Sequence, residues 1–197
     1  MINPALFSSA TDQWTTPPEL FAKMGHRYGP FDLDVCATAG NAKVERFYSP
    51  DQDGLQQPWQ GVCWMNPPYG RTIGQWVRKA WESSVEGATV VCLLPARTDT
   101  RWWQDYVDPY ADVEFLRGRV RFGDATSGAP FPSAIVIFRP MTRVACQWCE
   151  GLYAPVRTDS KFCSVACKQA AYRARKGERV TDIAVTRPVV ELSMVDS

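Results

Sequence analysis

A chain of 197 residues with 45% apolar and 12% aromatic residues has room for one substantial core and a small appendage. No apolar run approaches the roughly 18 to 20 residues that span a bilayer, and MINPALFSSATDQ has neither the basic start nor the apolar centre of a signal peptide, so no membrane is expected as partner and the cytoplasm is the expected compartment. The net charge of +1 hides an asymmetry: residues 141–179 hold eight Lys or Arg against three acids, and residues 1–140 hold thirteen against fifteen.

Along the chain, TTPPELFAKMGHRYG predicts a helix capped by Thr16, with Pro17 behind it and Glu19 in the first turn. FDLDVCA predicts a short buried strand, followed by a loop and a short helix. The run GVCWM predicts a second buried strand, which Pro67 and Pro68 must end, because neither has an N–H and each restricts the residue before it. TIGQWVRKAWESSV places Ile73, Trp76, Val77 and Ala80 on one helical face, and ATVVCLLP is a third apolar strand. DTRWWQDYV predicts a helix; DVEFLRGRVRFGDATSGAPFPSAIVIFRP predicts strands with Gly-rich turns, including a basic hairpin over residues 117–121. Alternating elements with an antiparallel finish make the expected class α/β, a doubly wound, Rossmann-like sheet over residues 1–140. Residues 141–179 form a separate basic module, and residues 180–197, without aromatics or a clear period, are expected to be a mobile tail.

The stretch WMNPPYG places a stiff loop at the carboxyl end of a buried strand, where open α/β sheets hold ligands. The Asn66 side chain and the Pro67 carbonyl are both acceptors, and Tyr69 offers an aromatic face. Two acceptors beside a flat ring suit a planar NH2 group, and hydrogen bonds from both its protons would localise its lone pair for attack on an electrophilic methyl group. Adenine N6, cytosine N4 and a protein glutamine amide all satisfy this description. Cytosine C5 chemistry does not, because it needs a Pro-Cys pair that the chain lacks.

Near the end, Cys146-x2-Cys149 and Cys163-x3-Cys167 are two close thiolate pairs separated by thirteen residues, the spacing of a tetrahedral zinc site. Ser164 is placed to cap a helix carrying Cys167, Lys168, Arg173, Arg175 and Lys176. A zinc module with a basic helix suits nucleic acid, with a protein contact as the other reading. The lone His26 is read as structural.

The runs DQWTTPPELF, FDLDVCATAGNAK, DGLQQPWQGVCWMNPPYG, LLPARTDTRWW, FLRGRVRF and APFPSAIVIF together resemble the phage-type, Dam-like DNA N6-adenine methyltransferases over about residues 11–139. The resemblance implies S-adenosylmethionine as methyl donor, adenine in DNA as acceptor, a bacterial or phage-infected cell as setting, and Asn66, Pro67, Pro68 and Tyr69 as the catalytic element. It implies cofactor contacts at Asp34, Asp53, Thr16 and Pro17. The glycine loop usual after the first strand of such enzymes is degenerate here, which keeps open a non-catalytic DNA-binding relic. Phe131 is a candidate wall of the base pocket or a core residue, and Arg119 and Arg121 are candidates for DNA contact or for a charged strand edge.

Overall fold

The computed structural model of the protein describes residues 14–141, 144–153, 155 and 159–176. The expected tail 180–197 and the first residues of the resemblance lie outside the described residues. The chain forms two compact units, Met1–Arg143 and Val144–Ser197.

The first unit is a five-stranded sheet of β1 (Leu33–Asp34), β2 (Val62–Met65), β3 (Thr89–Pro95), β4 (Asp112–Phe115) and β5 (Ser133–Phe138), in the order β1-β2-β3-β5-β4. The first three strands run parallel, and β5 runs antiparallel to both its neighbours, the expected Rossmann-like sheet with an antiparallel finish. Strands β3 and β5 are buried on both faces, which explains why each reads as an unbroken apolar run rather than an alternating one. Trp59, Trp64, Met65, Leu93, Leu94 and Ile135 are fully buried, each such side chain being worth roughly 1.5–3 kcal/mol of burial.

Helix α1 (Pro18–Tyr28) begins at two prolines whose φ is already helical, but Pro17 is its N-cap and no side chain caps it. The expected Thr16 cap is therefore corrected: its hydroxyl is taken by Asn66 instead. Helix α2 (Ile73–Val85) joins β2 to β3 and buries Ile73, Trp76, Val77 and Ala80, the face that the spacing predicts. The helix expected between β1 and β2 is a single 3-10 turn, Pro50–Gln52. The segment DTRWWQDYV is helical, with a π-type stretch Trp103–Val107 running into α3 (Asp108–Tyr110).

The basic hairpin does not form. Strand β4 ends at Phe115, and residues 116–132 are an irregular loop leading to β5. That loop is instead tied to the segment before α1, Gly123 N–H donating to the Thr15 carbonyl at 2.9 Å, and it closes on itself through Ala129 N–H to the Val120 carbonyl at 2.8 Å. Gly-rich, charge-rich composition here encodes a loop packed on the site rather than a ladder.

The second unit consists of the antiparallel pair β6 (Val144–Ala145) and β7 (Leu152–Tyr153), followed by α4 (Val165–Arg175). Among the described residues of both units, no helix is long and apolar enough to cross a membrane.

Candidate active site

Strand β2 delivers Asn66 to its carboxyl end, and Pro67 and Pro68 turn the chain out of the sheet. The Asn66 amide is fixed on both sides. Its Nδ2 donates to the Trp14 carbonyl and to Thr16 Oγ1 at 2.9 Å, and its Oδ1 lies 2.8 Å from the Tyr69 hydroxyl. A backbone carbonyl accepts only, so the nitrogen must be the atom facing Trp14 and the amide has one orientation. Tyr69 Oη also lies 3.0 Å from the Leu93 carbonyl and shares its proton between the two acceptors. Burial pushes the Tyr69 hydroxyl well above its usual pKa, so it stays a neutral donor.

Tyr69 is expected as an open stacking face, and the structure corrects this. The residue is 5% exposed. The Trp14 indole lies nearly parallel to its ring, with centroids 6.2 Å apart and planes at 23°, and Phe122 and Phe131 present edges to it at 83° and 74°.

Beside Asn66 opens a cavity of about 310 Å³, lined by Thr16, Asp34, Asp53, Asn66, Pro67 and Pro68, among others. Of the predicted cofactor residues, Pro17 is not in the lining and serves as the α1 N-cap. Asp34 is 3% exposed. Its carboxylate accepts from Lys43 N–H at 3.1 Å and from Cys36 N–H at 3.4 Å. Burial raises the carboxyl to about 6, with those two amides pulling the other way. A buried carboxylate with lone pairs to spare at a cavity wall suits hydroxyl or ammonium donors. Asp53 adopts a left-handed backbone, φ 47°, and its carboxylate accepts from Leu55 N–H at 3.2 Å. The next residue must be glycine: a Cβ on Gly54 would sit 2.1 Å from the Val35 carbonyl, so the missing side chain lets this turn close on the extension of β1.

Trp76 and Leu55 supply apolar walls, and Cys36 also lines the cavity. Burial, with Asp34 adding to it, pushes the Cys36 thiol up, so it stays neutral. Phe131 is absent from the cavity lining but packs edge-on against Trp14 and Tyr69, which places it in an aromatic cluster beside the cavity. Arg119 and Arg121 are exposed on the 116–132 loop and are not brought into the lining. Sequence reasoning missed Trp14 and Phe122. Trp14 stands two residues ahead of Thr16 in a segment without periodicity, and only its aromatic character marks it.

In the second unit, Cys146 and Cys149 sit on the β6–β7 turn, Cys163 precedes α4 and Cys167 lies in its first turn. Ser164 caps α4 as predicted, its Oγ accepting from Cys167 N–H at 3.2 Å. The four sulfurs lie within 4.8 Å of one another. Cys149 and Cys163 are 3.7 Å apart, and Cys163 and Cys167 are 3.4 Å apart. Sulfurs held tetrahedrally at ~2.3 Å from zinc lie about 3.8 Å from each other, so the donor set fits that ion. Burial raises Cys146, but the N–H groups of Cys149, Cys163 and Trp148 outweigh it and bring the thiol down to about 6. Cys163 is pushed up to about 12 by burial and by the neighbouring thiols. Four thiolates cannot share this space without a cation.

A parallel strand pair carrying Asn-Pro-Pro-Tyr at one tip and a buried carboxylate at the other, with one cavity between them, has the layout of an S-adenosylmethionine-dependent methyltransferase. Comparison with known proteins agrees. The DNA N-6-adenine-methyltransferase (Dam) family matches residues 5–176, and the chain belongs to it. The DNA N-6-adenine-methyltransferase of Haemophilus phage HP1 (strain HP1c1) is 34% identical over 140 residues, 67% of this chain and 81% of that protein. That of Escherichia phage T1 is 38% identical over 107 residues, 53% of this chain and 44% of that protein. Among solved structures, the 23S rRNA methyltransferase ErmE aligns over 81% of this chain and 57% of its own at 14% identity and a TM-score of 0.35, too loose a match to bear on the fold.

Proposed function

We propose that Asn66 and the Pro67 carbonyl hold the N6 amine of an adenine extruded from DNA, next to a cofactor seated against Asp34 and Asp53. Membership of the DNA N-6-adenine-methyltransferase family sets the reaction as methylation of adenine N6 and the donor as S-adenosylmethionine. Bound in the cavity, that donor supplies a methyl group made electrophilic by its sulfonium. The observation that carries the residue assignment is the single orientation of the Asn66 amide, with Nδ2 tied to Trp14 and Thr16 and Oδ1 keeping one acceptor position. An acceptor already aligned before the substrate arrives costs nothing to reorganise as positive charge develops on the amine. An N6 group inside a base pair cannot reach a loop on a protein, so the base must leave the stack.

Asp34 is read as the acceptor for donor hydroxyl or amino groups, Asp53 as a second acceptor at the far wall, and Trp76 and Leu55 as the apolar bed. The built cavity favours an enzyme over a non-catalytic relic, and the family favours adenine over cytosine N4 or glutamine. Sequencing of DNA from cells expressing the chain tests this: methyl groups on adenine N6 in one sequence context are expected, and their absence when the wild-type chain is expressed, or their persistence with Asn66→Ala, would overturn it.

Residues 1–140 are read as the catalytic domain and residues 141–179 as a zinc module, with Cys146, Cys149, Cys163 and Cys167 holding one structural zinc. What supports the metal is the spacing of the four sulfurs. Lys168, Arg173, Arg175 and Lys176 are exposed on and just beyond α4, and opposite charge makes DNA phosphates their expected contact. Elemental analysis of the purified full chain is expected to find one zinc per protein.

A further inference from the structure

The flat face of Tyr69, where a target base would stack, is already covered. The covering group is the Trp14 indole, a fused bicyclic ring about the size of a purine, with centroids 6.2 Å apart and planes at 23°. Phe122 and Phe131 meet the Tyr69 ring at 83° and 74°, so neither stacks flat on it. The same two rings meet the indole edge-on at 5.1 Å and 5.2 Å. Of the three rings around Tyr69, Trp14 is thus the one that lies nearly parallel to it, with Phe122 and Phe131 steeply inclined to both.

Which partner gives way follows from how each is held. Tyr69 is 5% exposed, and its hydroxyl is anchored by Asn66 Oδ1 and the Leu93 carbonyl. Phe122 is 4% exposed. Trp14 is only half-buried, and its polar anchor is its backbone carbonyl, bonded to Asn66 Nδ2, rather than its ring. Rotation of the side chain can thus move the indole while its backbone stays pinned. Two aromatic walls in van der Waals contact with a base between them stand roughly 7 Å apart, about 3.5 Å on each side. The present centroid separation of 6.2 Å falls short of that, so the indole must move outward for a base to enter, and Trp14 also borders the cofactor cavity, where the amine of a stacked base would have to meet the methyl group.

We infer that Trp14 is a substrate-binding residue: it holds the place of the target adenine on Tyr69 and, when the base enters, shifts outward to become the second stacking wall. This rests on the reading of Asn66 and Tyr69 as the target-base site. It gives residues 14–16 a role in base capture, beside their role in orienting Asn66.

The test uses the full chain, the duplex sequence mapped by methylation sequencing, and the variants Trp14→Ala and Trp14→Phe. Loss of one stacked aromatic face is expected to lower kcat/KM for DNA by about 5- to 150-fold in Trp14→Ala, with Trp14→Phe falling less. S-adenosylmethionine affinity, measured by calorimetry without DNA, is expected to change far less than that. With 2-aminopurine at the target position and protein in saturation, emission is expected to be brighter with Trp14→Ala than with wild type, because one quenching neighbour is gone. A Trp14→Ala chain with wild-type or greater kcat/KM and unchanged 2-aminopurine emission would overturn the inference and make the indole a filler of an empty slot. If Trp14→Ala no longer binds S-adenosylmethionine, Trp14→Phe decides by the same two readouts, and equality with wild type in both overturns the inference. A wild-type chain that methylates no adenine overturns the target-site reading and this inference with it, which separates the two failures.

Discussion

The two units reach order by opposite routes. In the first, the site residues rest on a deep apolar sheet, and the Asn66 side chain is held by Trp14 and Thr16, some fifty residues away, on one side and by nearby Tyr69 on the other. In the second, two two-residue strands and one helix surround four sulfurs, and among the described residues the buried apolar side chains are those of Cys146, Cys167, Ala170 and Ala171. So small a buried set provides little core, and the sulfurs of Cys146, Cys149, Cys163 and Cys167 form a cluster that could hold a metal ion. The first site is therefore expected to survive the removal of any single partner at a cost in rate, and the second to fail as a whole when one cysteine goes.

Removing a zinc ligand is the sharpest way to break that contrast. Zinc binding in small modules is worth about 10–16 kcal/mol of apparent free energy, and it is coupled to folding. Cys163→Ser is expected to lose the metal and the order of residues 144–176, while thermal unfolding of the first unit and S-adenosylmethionine binding stay near wild type. The salt dependence of DNA binding is expected to weaken with it, the slope of log affinity against log salt shrinking by nearly one for each Lys or Arg that no longer reaches a phosphate. An unchanged slope with the zinc gone would assign the module to a protein partner.

Asn66→Ala is expected to come next in size. Removing one aligned acceptor at a developing charge lowers the rate by about 10² to 10³-fold. Single-turnover methylation should fall by that factor with little change in the melting temperature, since Asn66 makes its bonds at the edge of the core.

The outline of both units is legible in the sequence for the same reason: each has a strong periodic or spacing signal. Buried strands β2 and β3 read as apolar runs, α2 reads from Ile73, Trp76, Val77 and Ala80, and the cysteines read from their intervals. What is not legible depends on interactions between residues far apart in the chain. The Thr16 hydroxyl has the composition of a cap, and only the fold places Asn66, fifty residues later, within reach of it. The loop 116–132 contains hairpin-like residues, yet it pairs with the segment before α1 instead of with itself as a ladder. Tyr69 looks like an open platform because nothing local to it says that Trp14 covers it.

The Asp34 carboxyl gives a pH test of intermediate size. Burial raises it to about 6. Accepting from hydroxyl or ammonium donors requires the ionised form, so S-adenosylmethionine affinity is expected to fall as pH drops through about 6, approaching tenfold per unit below it. In the ligand-free protein the sign is reversed. An acid whose folded pKa lies above its unfolded value of 3.8 contributes most to stability at low pH, and that contribution is lost as pH rises through about 6. Calorimetric titrations between pH 7.5 and 5 should show the fall in wild type, and Asp34→Asn should bind weakly at every pH with the slope gone. A pH-independent affinity in wild type would remove Asp34 from the cofactor contact.

Thr16→Val is expected to have the smallest effect and separates two roles for one hydroxyl. Thr16 lines the cavity, and the resemblance implies a cofactor contact there, whereas its Oγ1 accepts from Asn66 Nδ2 at 2.9 Å. Valine keeps the shape and removes the acceptor, leaving one amide hydrogen of Asn66 without its partner in a site where Thr16 is 2% exposed. A hydrogen bond of this kind contributes about 1 kcal/mol, so a rate change near fivefold is expected. If the hydroxyl acts by orienting Asn66, the loss appears in kcat while the dissociation constant for S-adenosylmethionine stays put, because the misaligned acceptor matters only as the amine reacts. If it instead contacts the cofactor, the dissociation constant rises and single-turnover rates at saturating cofactor are normal. The short path from Thr16 through Asn66 to Tyr69 favours the first outcome: each member holds the next, and the cofactor is needed for none of these bonds.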